Sequence, residues 1–189
     1  MHPRLAALAL RLGKSAAPDS PAMPAVRVKR ATTLRVGLIA DTHGLLRPQA
    51  TAFLQGCDHI LHGGDIGGPA ILEQLAALAP VTAVRGNNDT QTWAASLPQT
   101  QLLEFQAVRI YMIHNLEELE LEPAAAGLHV IVSGHSPRPL VREHNGVVYV
   151  NPGSAGPRRF RLPISVGQLE ISGASVTAKL IELRTTPDQ

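Results

Sequence analysis

From Leu34 onward, short apolar runs alternate with polar, glycine-rich breaks. Leu34-Arg-Val-Gly-Leu-Ile-Ala40 has little polar relief, as expected of a strand covered on both faces, and it leaves at once into Asp41-Thr42-His43-Gly44. Pro48 suits the first turn of a helix running to about Leu54, with Gly56 as its stop. His59 to Leu61 predicts a short strand that leaves into His62-Gly63-Gly64-Asp65-Ile66-Gly67-Gly68. Pro69 then opens a second helix, Ala70 to Leu78, with Ile71, Leu72, Leu75 and Leu78 at core-facing spacing, and Pro80 ends it. Val81 to Val84 is the third strand, leaving into Arg85-Gly86-Asn87-Asn88-Asp89. Asp41 to Asp65 and Asp65 to Asn87 are each separated by a little over twenty residues, about one compact βα repeat, so the three strands are predicted to be parallel neighbours.

The second half has a different rhythm. Gln101 to Phe105 and Val108 to Ile113 are separated by Gln106-Ala107 and predict a hairpin whose second arm ends at His114. Glu117 to Leu121 predicts a brief acidic helix closed by Pro123. Leu128 to Val132 predicts a strand leaving into Ser133-Gly134-His135. Asn145-Gly146 is a strong turn signal between strands Leu140 to Glu143 and Val147 to Val150, the latter leaving into Asn151-Pro152-Gly153-Ser154. Ile164 to Ile171 and Ser175 to Leu183 form a last pair. No repeat of 20 to 50 residues is present.

Composition narrows the class. The 189 residues fit one domain with an extra segment, and 44% hydrophobic but only 3% aromatic residues make an interior of Ala, Val, Leu and Ile, which suits an α/β layer structure. Residues 1–33 are a basic Ala/Pro/Arg-rich leader with six cations against Asp19 alone, a net +5, whereas the remainder holds 11 cations and 14 acids, a net −3. The high pI of about 9.0 therefore belongs to the leader. The folded part, 34–185, offers no obvious polyanion-binding surface, and residues 186–189 are a tail. The leader reads as a disordered tail or an over-long start rather than a targeting segment, because Arg11 breaks its apolar stretch. Cys57 is the single cysteine, which excludes an internal disulfide and reads as a small buried hydrophobe. No apolar run approaches the roughly 20 residues needed to span a bilayer. A cytoplasmic protein with no membrane and no specific nucleic-acid partner is expected. Homo-oligomerisation is left open.

The chemistry lies at the strand ends. Six predicted strands leave, within a few residues, into Asp41/His43, Asp65, Asn87, His114, His135 and Asn151. In α/β sheets the carboxyl ends of the strands form the ligand crevice, so these groups can meet without being near in sequence. Taken singly each is weak, since an Asp after a strand is often a turn residue and a lone His often structural. Their joint occurrence points to a common site. Mixed oxygen and imidazole donors suit Mn²⁺, Fe²⁺, Ni²⁺ or Zn²⁺ and fit neither Ca²⁺ nor a thiolate-built structural zinc. Asp65, on the middle of three neighbouring strands, is the natural carboxylate to be shared by a metal pair about 3.5–4 Å apart.

Asp41-x-His43, Gly64-Asp65, Gly86-Asn87-x-Asp89, His114, Gly134-His135 and Asn151-Pro-Gly-Ser154 resemble, in order and spacing, the calcineurin-like metallophosphoesterases, most of all their small bacterial and archaeal phosphodiesterase branch. The resemblance covers about Leu34 to Leu183. It implies a single-domain four-layer α/β/β/α sandwich and a metal-dependent phosphodiesterase acting on a small phosphodiester or phosphomonoester. Two divalent ions, Mn²⁺ first among them, would sit between the sheets, with a metal-bound hydroxide as nucleophile. Carried over by position, Asp41 and His43 would hold one ion, Asp65 would bridge, and Asn87, His114 and His135 would hold the other. Asn88 and Asp89 would be catalytic, and Asn151, Ser154 and Arg158, with Arg159, would contact phosphate. The same resemblance admits a protein-binding scaffold that kept the fold and lost turnover, as in the retromer-subunit branch.

Three departures bear on this. The family's Gly-His-Thr-His is here Gly134-His135-Ser136-Pro137, so Pro137 stands where a first-metal ligand belongs. His114 is followed by Asn115 rather than Gly. Asn88 stands where many relatives place His or Cys, and an amide cannot serve as a general acid. His62 and His144 are the candidates to replace the missing ligand. His62 also suits a position behind the ligands, and His144 suits a solvated one before its turn. Trp93 reads as a packing anchor. Gly63-Gly64 with Gly67-Gly68 lacks the order of a nucleotide-binding fingerprint.

Overall fold

The computed structural model describes residues 32–184, so the expectations for the leader and for the tail fall outside the described residues. Ten strands, two α-helices and two 3₁₀ turns alternate along them. They are β1 (Leu34–Ile39), α1 (Pro48–Leu54), β2 (His59–His62), α2 (Pro69–Ala76), β3 (Val81–Ala83), a 3₁₀ turn (Thr92–Ser96), β4 (Thr100–Phe105) and β5 (Val108–Ile113). A second 3₁₀ turn (Leu116–Glu118), β6 (Val130–Val132), β7 (Leu140–His144), β8 (Val147–Asn151), β9 (Ser165–Ser172) and β10 (Ser175–Glu182) follow.

The strands form two five-stranded mixed sheets ordered β10-β9-β1-β2-β3 and β4-β5-β6-β8-β7. β1, β2 and β3 are parallel, with Val36 opposite His59 and Ile60 opposite Val81, as the βα spacing predicts. β5, β6 and β8 form the corresponding parallel trio, Ile110 opposite Val130 and Val130 opposite Val148. The three predicted hairpins, β4–β5, β7–β8 and β9–β10, pair antiparallel. Period-two alternation sorts the faces. Val36, Leu38 and Leu61 of one sheet meet Val108, Ile110, Met112, Val130 and Val132 of the other in a core between the sheets. Ile39 and Ile60 point away from that core, onto Leu54 of α1 and Leu75 of α2. Truncating a fully buried residue such as Leu38 to Ala costs about 2–5 kcal/mol in such surroundings.

The fourth layer is thinner than expected. Over the outer face of the second sheet, Ile113, Ile131 and Tyr149 are covered by Leu116, Leu119 and Leu121, which ride on a 3₁₀ turn and an irregular segment instead of an α-helix. The cause is local. Four glutamates between 117 and 122 repel one another, Pro123 blocks extension, and Asn115 closes a single turn by accepting from the Glu117 amide. The observed α2 also stops at Ala76, two residues before the predicted end. Both sheets therefore present the carboxyl ends of three parallel strands to loops rich in polar groups.

Candidate metal centre

The loop after β1 is clamped on two sides by backbone. Asp41 and His43 donate to the Gly64 and Asp65 carbonyls at 3.0 and 2.9 Å, extending the β1–β2 ladder beyond the strands, while Ala155 and Gly156 donate to the Ala40 and Asp41 carbonyls at 3.0 and 3.2 Å. Gly86 must be a glycine for a similar reason, since a Cβ there would fall on the backbone nitrogen and Oδ1 of Asp65. Four of the six candidate ligands, Asp41, His43, Asp65 and His135, adopt positive φ between 45° and 64°. Non-glycine residues are held in that region only where the surroundings over-determine them, which is common at ligand sites.

The clamped loops bring the ligands together in two groups that share Asp65. In the first half-site, His43 Nε2 lies 4.0 Å from Asp41 Oδ1 and 3.8 Å from Asp65 Oδ2, and one donor atom from each of the three falls within 4.8 Å of the others. In the second, His114 Nε2 lies 3.5 Å from the same Asp65 Oδ2 and 3.0 Å from Asn87 Oδ1, which is also 3.0 Å from His135 Nδ1. All six candidate ligands thus converge as the strand exits predict, and Asp65 Oδ2 faces both groups.

Their electrostatics favour a cation. His114 Nδ1 donates to the Gly63 carbonyl at 2.7 Å, which turns the Nε2 lone pair toward two oxygens, Asp65 Oδ2 and Asn87 Oδ1. Three acceptors facing one another repel unless a proton or a metal ion lies among them. Burial works against a charged His114, but the bonds to Asp65 and to the Gly63 carbonyl prevail and raise its pKa. Burial likewise works to raise Asp65, yet hydrogen bonds from His114 and Asn88 hold its carboxyl well below the usual range. Asp41 is pushed up to about 7, chiefly by burial and further by the Asp65 carboxylate. His43 is lowered by burial, which keeps its imidazole neutral and able to ligate. Asp41 Oδ2 is one of two buried side-chain oxygens without a hydrogen-bond partner among the described residues. A buried, unpartnered carboxylate oxygen beside an imidazole and a second carboxylate fits a divalent ion. These residues therefore fit the metal pair the resemblance implies.

Other predicted site residues occupy supporting places. Asn88 gives its backbone and side-chain amides to Asp65 Oδ1 and Oδ2 at 2.8 and 2.6 Å. Asp89 is buried, and its carboxylate accepts from the Ile66, Gly67 and Gly86 amides at 3.1, 2.9 and 2.9 Å. That use ties the Asp65 loop to the Asn87 loop and engages both Asp89 oxygens with backbone amides. The Asn151 amide donates to the Gly134 and Ser136 carbonyls, both at 2.9 Å, and its oxygen accepts from Gly153, so it shapes the loop that carries His135. Ser154 donates to the Asp41 carbonyl at 3.2 Å and lines the cavity around the first half-site. Arg158 bonds the Leu162 carbonyl at 3.4 Å. Its neighbour Arg159 reaches the site, with Nη2 3.0 Å from His43 Nε2.

Pro137 lines the cavity beside Asp41 and His43, where the resemblance places a further ligand. Neither candidate replacement fills the gap. His62 is fully buried and accepts from the Gly64 amide at Nδ1, so its Nε2–H donates to Thr42 Oγ1 at 2.9 Å, which in turn donates to the Ile66 carbonyl. Burial lowers its pKa to about 4, and it braces the loop behind the ligands. His144 is exposed at the end of β7. Trp93 packs against the helix-side core, on a 3₁₀ turn. Sequence reasoning allowed His62 a place behind the ligands but missed its partner Thr42, and it missed Phe160, which lines the first half-site cavity. Phe160 was signalled by its isolation in Pro157-Arg-Arg-Phe-Arg, a strongly polar stretch of an aromatic-poor chain.

Comparison with known proteins gives the family. The chain is 35% identical over 159 residues to a probable metallophosphoesterase of Methanothermobacter thermautotrophicus, covering 77% of this chain and 91% of that protein. It is 32% identical over 165 residues to a second from Methanocaldococcus jannaschii, covering 80% and 82%. Among solved structures, Vps29 of Chaetomium thermophilum matches with a TM-score of 0.70 at 22% identity, covering 82% of this chain and 90% of that one. A protein described as a novel archaeal phosphodiesterase matches with a TM-score of 0.66 at 18% identity, covering 78% and 100%. The profile of the calcineurin-like phosphoesterase superfamily domain matches residues 34–174. The chain belongs to the calcineurin-like phosphoesterase superfamily.

Proposed function

We propose that this protein is a metal-dependent phosphodiesterase whose six candidate ligands hold two divalent ions, Mn²⁺ being the first to test and Fe²⁺, Ni²⁺ and Zn²⁺ the alternatives. The observation that carries the reading is Asp65 Oδ2, which lies 3.8 Å from one ligating imidazole and 3.5 Å from another. When bound, such a pair supplies an activated water and neutralises charge developing at phosphorus. The chain's own residues do the positioning. Arg159, the one Lys or Arg lining the cavity at the first half-site, pairs with a non-bridging phosphoryl oxygen, and one fixed cation matches the single charge of a diester. The archaeal phosphodiesterase among the structural neighbours is in line with that choice. Asn88 can donate to a substrate oxygen but cannot protonate a leaving group, and the Asp89 carboxylate is enclosed by backbone amides. Leaving-group protonation is then left to metal-bound water or to the solvent, and rates should depend steeply on leaving-group acidity. A reducing compartment such as the cytoplasm suits the single cysteine, Cys57.

The second reading, a binding scaffold with weakened turnover, is favoured by Pro137 in the first half-site and by Asn88 on Asp65. Hydrolysis of bis(4-nitrophenyl) phosphate by metal-stripped protein, before and after addition of Mn²⁺, Fe²⁺, Ni²⁺ or Zn²⁺, separates the two. Metal-dependent turnover that falls by about three orders of magnitude or more in Asp65→Asn supports the enzyme. Absence of turnover with every ion supports the scaffold.

A further inference from the structure

Phe160 is 86% exposed, far more than any other exposed large apolar side chain of the described residues. Its backbone is unfavourable too. The Leu162 amide donates to the Arg159 carbonyl at 3.1 Å, closing a four-residue turn, and Phe160 is the second residue of that turn with φ of +55°. A positive φ there suits Gly, Asn or Asp, and for a bulky aromatic it is an outlier. Neither folding nor solubility gains from Phe at this position, since a Gly would relieve the turn and a polar side chain would suit the exposure.

The location supplies the reason. Phe160 follows Arg159, which contacts His43, and it walls the cavity of about 220 Å³ that contains Asp41, His43 and Asp65. Pro137 walls the same cavity, so two apolar, ring-bearing side chains line a pocket otherwise made of carboxylates, imidazoles, a guanidinium, the Asn88 amide and the Ser154 hydroxyl. Of the other exposed large apolar residues, Leu102, Leu140 and Val141 lie on β4 and β7 of the other sheet, Ile181 lies on β10, and Leu45, in the loop after β1, is far less exposed at 39%. The residues flanking Phe160 are Arg159 and Arg161. A lone ring among arginines suits an anionic small molecule better than a protein surface, which requires a contiguous apolar patch. The cavity is below the roughly 300–1,000 Å³ of drug-sized pockets, room for a phosphoryl group and one ring system on this side of the site, while a larger cavity of about 610 Å³ opens at Asn87 and His114.

We propose that Phe160 and Pro137 form a subsite for a planar aromatic substituent carried on the phosphoryl group, which makes aryl or nucleoside phosphoesters the substrate class. The proposal rests on the phosphoesterase reading for the position of the phosphoryl group. Bases and aryl rings stack on exposed aromatic side chains with little demand for sequence or edge.

Calorimetric titration of metal-loaded protein with phenylphosphonate and with methylphosphonate tests it without turnover. The wild type is expected to prefer the phenyl compound by about tenfold. In Phe160→Ala the two affinities should become nearly equal through loss on the phenyl side, and Phe160→Trp should keep the preference. An unchanged ratio in Phe160→Ala, a parallel loss of both affinities, or no binding of either compound overturns the subsite. So does a change in oligomeric state with no change in the ratio, which would make Phe160 a protein contact. A phenyl preference in a protein that hydrolyses nothing keeps the subsite and removes the catalytic reading, whereas turnover without a phenyl preference does the reverse.

Discussion

The two half-sites that share Asp65 are built to different standards. Around Asn87, two imidazole nitrogens stand at 3.0 Å from one amide oxygen, and His114 is fixed through its other nitrogen to the Gly63 carbonyl. Around Asp41, only His43 and the shared carboxylate complete the group, Pro137 lines the wall, and one carboxylate oxygen has no partner. A ligand set pre-oriented by hydrogen bonds loses little freedom when an ion enters, whereas an incomplete one leaves coordination to water. The lesson is that a paired set of candidate ligands can lack one expected member and keep its geometry if the shared carboxylate is held by the protein itself. Here Asn88 and the glycine loops hold it. The second half-site should bind its ion more tightly than the first.

The largest break in this comparison comes from His114→Ala, which removes a ligand and its link to Gly63. It should weaken the tighter ion by about 100-fold or more while leaving the Asp41 group in place, and Asp41→Asn should remove only the weaker ion. Equilibrium dialysis with Mn²⁺ checks both, and equal effects on both ions would erase the distinction. Next in size is Pro137→His. An imidazole returned to this wall should raise the affinity of the weaker ion by about tenfold and leave the tighter one unchanged. If nothing changes, Pro137 is not what weakens the first half-site.

A smaller effect is the pH dependence. Asp41 has its pKa raised to about 7 and must lose that proton to ligate, so affinity at the first half-site should fall about tenfold per unit below pH 7 and level off above it. The same shift acts on the metal-free fold with the opposite slope. Between its ordinary value of 3.8 and about 7, the folded state holds a proton that the unfolded chain lacks, so stability falls as pH rises through that window. His62 opposes it. Its folded pKa of about 4 lies below the ordinary 6.5, so its contribution is lost as pH falls from about 6.5 toward 4. Comparing melting curves of the metal-free wild type and Asp41→Asn across pH 4 to 8 isolates the Asp41 slope, and identical curves would contradict it.

Much of this was legible in the sequence because the two strongest local signals agree. Apolar runs that end in polar loops, glycine-bearing at every exit but that of β5, marked each strand carrying a candidate ligand, and the regular spacing from Asp41 through Asp65 to Asn87 pointed to the parallel order. Turn signals such as Asn145-Gly146 fixed the hairpins. The fourth layer was not legible, since whether Leu116, Leu119 and Leu121 cover the sheet on a helix or on a 3₁₀ turn depends on charge repulsion and packing rather than on their spacing. Within the site, residue type gave the candidate ligands that the fold brings together but not the supporting roles. Asp89 and Asn151 look like catalytic or phosphate groups in sequence, and only the folded loops place their polar atoms on backbone amides and carbonyls. The choice between Arg158 and Arg159 turns on the direction of one side chain in a strained turn, which no pattern of residue types encodes.

The account is tested most directly by calorimetric titration of metal-stripped protein with Mn²⁺ at pH 8. The prediction is two ions per chain with clearly different affinities, both abolished by Asp65→Asn. A single ion whose binding is indifferent to Asp65, or no binding at all, would contradict the shared carboxylate on which the reading stands.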